Sequence, residues 1–181
     1  MTENDKAKKE KEYYTEQVRL AEINPELCDP KLKKHNMRNL KRLHERALLK
    51  RKVEKLTTLD NYWYTGPTGT GKSIAARDNY PDAYIKQPNK WWDGYDGEEV
   101  VIIDEFNKQH GRFAYYLRQW ADHYPFQAEI KRGTLGLIRP KTIIIISRHT
   151  PEEIFKDLST VESINRRFIL KRFEKIENFK E

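Results

Sequence analysis

The stretch Gly66-Pro67-Thr68-Gly69-Thr70-Gly71-Lys72-Ser73 has the spacing G-x-x-x-x-G-K-[ST], which is typical of a phosphate-binding loop. Its glycines let backbone N–H groups point at one centre, and a helix beginning there adds positive potential. Lys72 would reach the β- and γ-phosphates, and the Ser73 hydroxyl would hold Mg²⁺. The alternative is a chance glycine-rich turn. The predicted strand before the loop and the predicted helix after it favour a nucleotide and magnesium site.

Two carboxylates, Asp104 and Glu105, follow four consecutive apolar residues at positions 100–103. An apolar run without alternation predicts a strand buried on both faces, with the acids at its end. In P-loop nucleotidases a strand-end Asp binds Mg²⁺, and a second carboxylate can take the proton of an attacking water. The pair therefore favours hydrolysis over transfer to a small substrate. The alternative is two carboxylates that merely cap the strand.

Strands and helices alternate from residue 62 onward, which predicts a three-layer α/β fold with a mainly parallel sheet. Residues 126–138 predict a hairpin with a basic tip at 131–134. Within this domain Trp91 and Trp92 are expected to pack between layers, and Tyr115 is expected in the core. The predicted strands cover residues 62–65, 83–86, 99–105, 142–147 and 168–173, and the helices begin at 73, 111, 151 and 161, the second running to residue 124.

Residues 1–56 predict a helical segment ahead of an ATPase domain at 57–181. Residues 1–24 form a weak helix, and a second, amphipathic helix begins after Asp29, which is an N-cap with Pro30 at the first helical position. Two such helices bury little surface alone. They are expected to pack on the second domain or on copies of themselves.

The charge of the chain is uneven. The net charge is +7, and residues 1–58 hold 16 Lys and Arg against 10 Asp and Glu. A basic segment suggests an anionic partner such as nucleic acid; the alternative is a solvated helical face. Cys28 is the single cysteine, so a reducing compartment fits, and no apolar run reaches membrane-spanning length. A soluble protein that is not obviously secreted is expected.

Four motifs follow one another along the chain. They are the phosphate loop at 66–73, Asn-Lys-Trp-Trp-Asp-Gly-Tyr-Asp-Gly-Glu-Glu-Val-Val-Ile-Ile-Asp-Glu-Phe at 89–106, Ser-Arg-His-Thr-Pro at 147–151 and Ile-Asn-Arg-Arg-Phe at 164–168. In this order they resemble the helicase domain of circovirus- and cyclovirus-type replication initiator (Rep) proteins, which are superfamily 3 helicases of small circular single-stranded DNA viruses. The resemblance covers about residues 60–173, and the block at 89–106 is its most specific part.

The resemblance implies an AAA+-like sheet, a hexameric ring, ATP hydrolysis between subunits and movement on single-stranded DNA from 3′ to 5′. It implies that residues 1–56 serve oligomerisation and that Lys131 with Arg132 grips DNA phosphates. Either Arg166 or Arg167 would be the arginine finger; the alternative is a pair that interacts with a helix dipole. For a viral protein of this kind the host nucleus is expected, and residues 50–52 form a weak import-like cluster.

Two departures from the family pattern affect the expected function. Arg148 stands where the family has an Asn that orients the lytic water. Either Arg148 contacts the phosphate, or His149 or Ser147 substitutes, or turnover is weak. The five histidines form no His-hydrophobe-His pair, so no nuclease activity is expected from this chain. An RNA-acting superfamily 3 motor and a nucleotide-gated scaffold remain as alternative functions, and a small-molecule kinase is disfavoured.

Overall fold

A computed structural model describes residues 3–50 and 52–175. The strands are β1 (Tyr62–Thr65), β2 (Tyr84–Lys86), β3 (Val100–Phe106), β4 (Phe126–Ile130), β5 (Gly133–Ile138), β6 (Thr142–Ser147) and β7 (Ile169–Arg172). Five strands form one parallel sheet in the order β2-β3-β6-β1-β7, and β4 pairs with β5 in a separate antiparallel hairpin. The predicted strands at 62–65 and 142–147 are confirmed to the residue.

Helices flank this sheet and precede it. Two long helices come before β1, one follows the phosphate loop, and three lie between β3 and β7. Short 3₁₀ helices occupy Pro25–Leu27 and Lys108–Phe113. No helix among the described residues is long and apolar enough to cross a membrane. The helices are α1 (Glu3–Ile23), α2 (Pro30–Lys50), α3 (Lys72–Asn79), α4 (Ala114–Trp120), α5 (Pro151–Ile154) and α6 (Leu158–Asn165).

The centre of the sheet, formed by β3, β6 and β1, is buried on both faces because these strands carry apolar side chains at successive positions. In β6, Ile143 and Ile145 join a cluster with α4, α5 and α6, whereas Ile144 and Ile146 join a second cluster with α3. Alternate residues of a strand point to opposite faces, so one continuous apolar run supplies both layers. The three-layer arrangement with a parallel centre confirms the predicted P-loop nucleotidase-like α/β fold.

The helix predicted at 111–124 is shorter than expected. Residues up to Phe113 form the 3₁₀ turn, and α4 ends at Trp120. The reason is Arg139, whose guanidinium donates hydrogen bonds to the carbonyls of Trp120, Asp122 and Tyr124 and so stabilises a non-helical turn. Tyr115, expected in the core, is 62% exposed. Trp92 is fully buried, as predicted.

The two N-terminal helices pack on each other and on the hairpin. Ala21, Cys28 and Leu40 form their small core, and the Asp29 side chain accepts the N–H of Lys31 at 2.8 Å, which confirms the predicted cap. Helix α2 lies so close to β5 that a Cβ on Gly136 would come within 2.7 Å of the Leu48 backbone. Of the two alternatives for these helices, packing on the second domain is the one observed within the chain.

Candidate nucleotide site and its surroundings

The phosphate-binding loop closes between β1 and α3. Gly69 and Gly71 both have φ of +81°, the left-handed region that favours glycine. The Lys72 ammonium donates hydrogen bonds to the carbonyls of Gly66 at 2.7 Å and Pro67 at 2.6 Å, so it lies inside the loop. Burial lowers the pKa of Lys72, and Arg148 lowers it further while Asp104 opposes the shift.

Gly66, the first glycine of the loop, is required by packing. Its φ is +146°, and an added Cβ would lie 2.0 Å from the carbonyl oxygen of Phe173. Phe173 directly follows β7, and its N–H donates to the carbonyl of Thr65 at 2.8 Å. The end of the last strand therefore occupies the space that a side chain at position 66 would need.

Asp104 and Ser73 meet across the cleft. The Ser73 hydroxyl donates to Asp104 Oδ1 over 3.1 Å, and Arg77 reaches the other carboxylate oxygen at 3.5 Å. Within the part of the chain that the structure describes, no group of three His, Cys, Asp or Glu side chains could hold a metal ion. A hydroxyl and one carboxylate nevertheless fit Mg²⁺, which typically takes one or two protein oxygens together with phosphate and water.

Glu105 has an unusual backbone conformation. Its φ is +54°, and it is the one non-glycine residue with positive φ in the described ranges. The pairing of β3 with β6 shifts register between Ile103 and Phe106, so Glu105 sits in a bulge, where its N–H donates to Asp104 Oδ1 at 2.8 Å. Such a conformation costs on the order of 1 kcal/mol and is found disproportionately at functional sites. The bulge leaves Glu105 exposed at the cleft.

A cleft of about 480 Å³ unites these groups. Arg148 and Ser147 line it, whereas His149 does not. Ser147 is buried, and its hydroxyl accepts the N–H of His149 at 3.0 Å. Arg148 is therefore the charged group that β6 delivers to the cleft. The cleft is lined by Thr68, Gly69, Thr70, Gly71, Lys72, Ser73, Ile74, Asp104, Glu105, Phe106, Asn107, Ile146, Ser147 and Arg148.

The two adjacent arginines after α6 have different surroundings. Arg167 is partly buried and binds Asp122 at 2.5 Å as well as the Ser163 hydroxyl at 2.8 Å. Desolvation raises the pKa of Asp122, but hydrogen bonds from Arg167 and from the His123 N–H outweigh it, so the pKa is lowered. Arg166 is exposed and has no side-chain partner among the described residues. Neither arginine lines the cleft of its own chain.

The basic hairpin tip lies where the sequence predicts it. Lys131 and Arg132 form the two-residue turn between β4 and β5, and Gly133 and Thr134, expected in the tip, belong to β5. Both basic side chains are exposed. The aromatic loop at residues 89–95 contacts the hairpin, because the backbone N–H of Trp92 donates to the carbonyl of Glu129 at 2.9 Å.

Sequence reasoning missed Lys86, which fixes this aromatic loop. Its ammonium donates to the carbonyls of Gln87 at 3.2 Å, Asn89 at 2.6 Å and Trp91 at 2.7 Å. It also lies 5.1 Å from the ring centre of Trp92 and 4.5 Å from that of Trp120. Burial lowers the pKa of Lys86 to about 7. A lysine ending a strand just before an aromatic block is the signal that could have identified it.

Comparison with known proteins shows which proteins this chain resembles. The model of a family described as RNA helicase matches residues 62–149, which begin at β1 and end just after β6. The replication-associated protein of porcine circovirus 2 is 38% identical over 139 residues, or 72% of this chain and 43% of that relative. The chain is similar to circovirus and cyclovirus replication-associated proteins. The resemblance stated from the motifs is confirmed.

Two further replication-associated proteins are also similar to this chain. The replication-associated protein of beak and feather disease virus is 38% identical over 104 residues, or 57% of this chain and 35% of that protein. The one from human associated cyclovirus 1 is 37% identical over 79 residues, or 39% of this chain and 27% of that protein. The chain thus spans less than half the length of these replication-associated proteins.

Proposed function

We propose that the chain is an ATP-dependent helicase domain of a replication initiator that moves on single-stranded DNA. The observation that carries this proposal is that one cleft brings together the phosphate-binding loop, Asp104 and Glu105. A triphosphate site alone would suit many nucleotidases. An exposed carboxylate beside the metal-binding one favours hydrolysis, and the relationship to replication-associated proteins supports replication as the setting.

Five side chains of the cleft have distinct roles in the proposed ATP hydrolysis. The loop N–H groups and Lys72 bind and orient the phosphates, while Ser73 and Asp104 hold Mg²⁺. Bound Mg²⁺ would neutralise charge on the phosphate oxygens. Glu105 accepts the proton of the attacking water. Arg148, which stands where the family pattern has Asn, contacts the phosphate from the end of β6 and replaces that Asn.

A ring of several copies, as in the proposed hexamer, would complete this site. Arg166 is exposed and without a partner in the described ranges, so it can extend to a neighbouring copy's γ-phosphate and stabilise transition-state charge. Arg167 joins the end of α6 to the turn after α4 through its ion pair with Asp122. We assign Arg166 as the finger and Arg167 as its support. The helical segment at 1–56 would assemble the ring.

The hairpin tip is the proposed contact with DNA. Lys131 and Arg132 project from a two-residue turn, which suits an electrostatic grip on a phosphate backbone. The host nucleus is the proposed location. The import-like cluster at 50–52 adds little to that, because Arg51 lies outside the described residues.

Two other functions have an observation in their favour. The matching family model is described as RNA helicase, which supports an RNA-acting motor. Arg148 in place of Asn supports a scaffold that binds ATP and assembles but shows no turnover. Stimulation of ATP hydrolysis by oligo(dT) but not by oligo(rU) separates the first from our proposal, and measurable turnover separates the second.

The deciding experiment compares ATP hydrolysis by the unmodified chain and Lys72→Ala, each with single-stranded DNA. We expect at least a hundredfold loss, because Lys72 is the cation of the phosphate loop. Lys156→Ala is the control, since this exposed lysine lies outside the cleft. A rate of ATP hydrolysis that Lys72→Ala leaves unchanged would contradict the proposal.

A further inference from the structure

We propose that the exposed face of α2 is a second binding surface for the phosphodiester backbone of a single nucleic-acid strand, continuous with the hairpin tip. This surface, called the basic face below, consists of Lys31, Lys34, Arg38, Lys41, Arg42 and Arg46. It deepens the proposed function, since a motor domain must hold the strand that it moves. It assigns to the N-terminal helices a contact with nucleic acid in addition to assembly.

The first observation is where the charge lies. Helix α2 holds eight Lys and Arg residues and one Glu, a net charge of +7. The whole chain has 35 Lys and Arg against 28 Asp and Glu, so the other residues hold 27 of each and are neutral. One helix of 21 residues thus accounts for the entire net charge of the molecule. A solvated helix needs no such concentration, whereas a polyanion partner does.

The second observation is that these cations share one side of the helix. Residues three, four and seven apart lie on the same face, and positions 31, 34, 38, 41, 42 and 46 follow those steps. All six side chains are exposed, while Leu40 on the opposite side is buried. A helix of 21 residues is about 30 Å long, so the basic face is an extended track rather than a point site.

The third observation is that the protein leaves these charges without partners. Within the described ranges none of the six makes an ion pair or a side-chain hydrogen bond, although Lys33 on another side of the same helix pairs with Glu26 at 3.2 Å. Like charges one turn apart on a helix repel each other. An arrangement that destabilises the free helix is consistent with an external anion that neutralises it.

The fourth observation joins the basic face to the hairpin. Glu45 packs at the tip, where a Cβ on Gly133 would lie 2.9 Å from its carboxylate, and Leu48 packs one turn later against Gly136. The hairpin therefore points toward the N-terminus of α2. Lys41 and Arg42 lie about one turn ahead of Glu45 in that direction. Lys131 and Arg132 at the tip and the basic face thus form one surface.

The test measures how salt affects binding of a labelled oligo(dT) strand to the 181-residue chain without nucleotide. Each cation that no longer neutralises a phosphate of a single strand reduces the slope of log K against log salt by about 0.7. We expect Arg38→Ala/Lys41→Ala/Arg42→Ala to reduce the slope by about 2 and to weaken binding at low salt by about tenfold. The matched control is Lys6→Ala/Lys8→Ala/Lys11→Ala, which removes the same charge from exposed positions of α1.

The possible outcomes separate the proposal from its competitors. Equal losses in the test and control variants would mean that only net charge matters, and this would overturn the proposal. A variant that binds DNA normally but no longer self-associates, as measured by mass photometry, would assign the basic face to a second copy instead. An equal loss of affinity for oligo(dT) and for oligo(rU) supports backbone recognition. A loss of affinity for only one of these strands would contradict it.

The proposed function and this inference can fail separately. Lys72→Ala tests hydrolysis at a cleft that the basic face does not line. If Lys72→Ala has no effect and the triple variant behaves as expected, the helicase proposal fails and the surface stands. If the triple variant binds normally while Lys72→Ala abolishes hydrolysis, the reverse holds. Circular dichroism melts of both triple variants check that α2 remains folded.

Discussion

Two regions of this molecule are suited to phosphate, and they are built in opposite ways. The nucleotide cleft is concave, and its loop lysine is held by carbonyls at 2.6 and 2.7 Å. The basic face of α2 is convex and carries six exposed cations without partners in the described ranges. The cleft selects one phosphate chain by shape and directed N–H groups, whereas the face would accept any polyanion along its length.

This difference sets how each region should respond to change. A directed hydrogen bond in a partly enclosed cleft is screened little by salt, whereas exposed charges are screened strongly. Removing one group from the cleft should therefore abolish a chemical step. Removing one cation from the face or the hairpin should weaken binding by a modest factor. Three experiments test this contrast, beginning with the largest expected effect, and a fourth concerns a buried cation outside both regions.

The largest effect is expected where the cleft depends on a neighbouring copy. Arg166→Ala should lower DNA-stimulated ATP hydrolysis by about 10³-fold, because it removes a cation that stabilises transition-state charge. Arg167→Ala should mainly destabilise the fold, by about 1–2 kcal/mol, because it removes a charge-assisted hydrogen bond to Asp122. Phosphate release and urea melts distinguish the two. The opposite ranking in turnover would make Arg167 the finger.

The next effect concerns the base within the cleft. Glu105→Gln should keep ATP affinity within a few fold and lower turnover by about 10²-fold, because the amide cannot accept the proton of water. Titration with a fluorescent ATP analogue and single-turnover hydrolysis measure the two quantities. Parallel losses of affinity and turnover would instead assign Glu105 to binding.

A smaller effect is expected at the hairpin. Lys131→Ala should reduce the slope of log K for oligo(dT) against log salt by about 0.7 and leave hydrolysis without DNA unchanged. Lys141→Ala is the control, since this lysine is already paired with Glu99. An unchanged slope would remove the tip from the nucleic-acid surface and separate it from the basic face.

The smallest effect concerns Lys86, a buried cation that serves neither phosphate region. Its pKa falls from 10.5 to about 7 on folding, so between these values the unfolded chain binds more protons and the free energy of unfolding should rise with pH. The Lys86→Met variant has no side-chain amine at this position, so it loses this contribution to the pH dependence. The difference in slope should reach at most about 1.4 kcal/mol per pH unit in urea melts at pH 7 to 9. Parallel pH profiles would show that Lys86 stays charged when folded.

Local patterns in the sequence predicted most of the sheet. The apolar runs at 100–103 and 143–146 identify buried strands, and the glycine loop places a helix after β1, because these preferences depend on neighbouring residues. The end of α4 could not be predicted in this way. Arg139 stabilises the turn after Trp120 from a distance in sequence that no local preference reports.

The candidate site was also predictable only where it depends on local sequence. Sequence reasoning named both the loop and the acid pair, and the structure brings them around one cleft. It could not choose between Arg166 and Arg167, because that choice depends on Asp122, which belongs to another element. The backbone conformation of Glu105 could not be predicted either, since its bulge arises from the register of β3 against β6. The catalytic roles of these residues stay predictions.

The packing around Gly66 affects which residues natural selection can accept at that position. Because the chain around Phe173 fills the space beside this glycine, selection at position 66 acts on how the sheet edge is sealed as well as on the nucleotide. An alanine there would push β7 away from β1, and the first symptom would be fraying of that edge. Suppressor mutations recovered from such a variant would cluster near residue 173, at the end of β7.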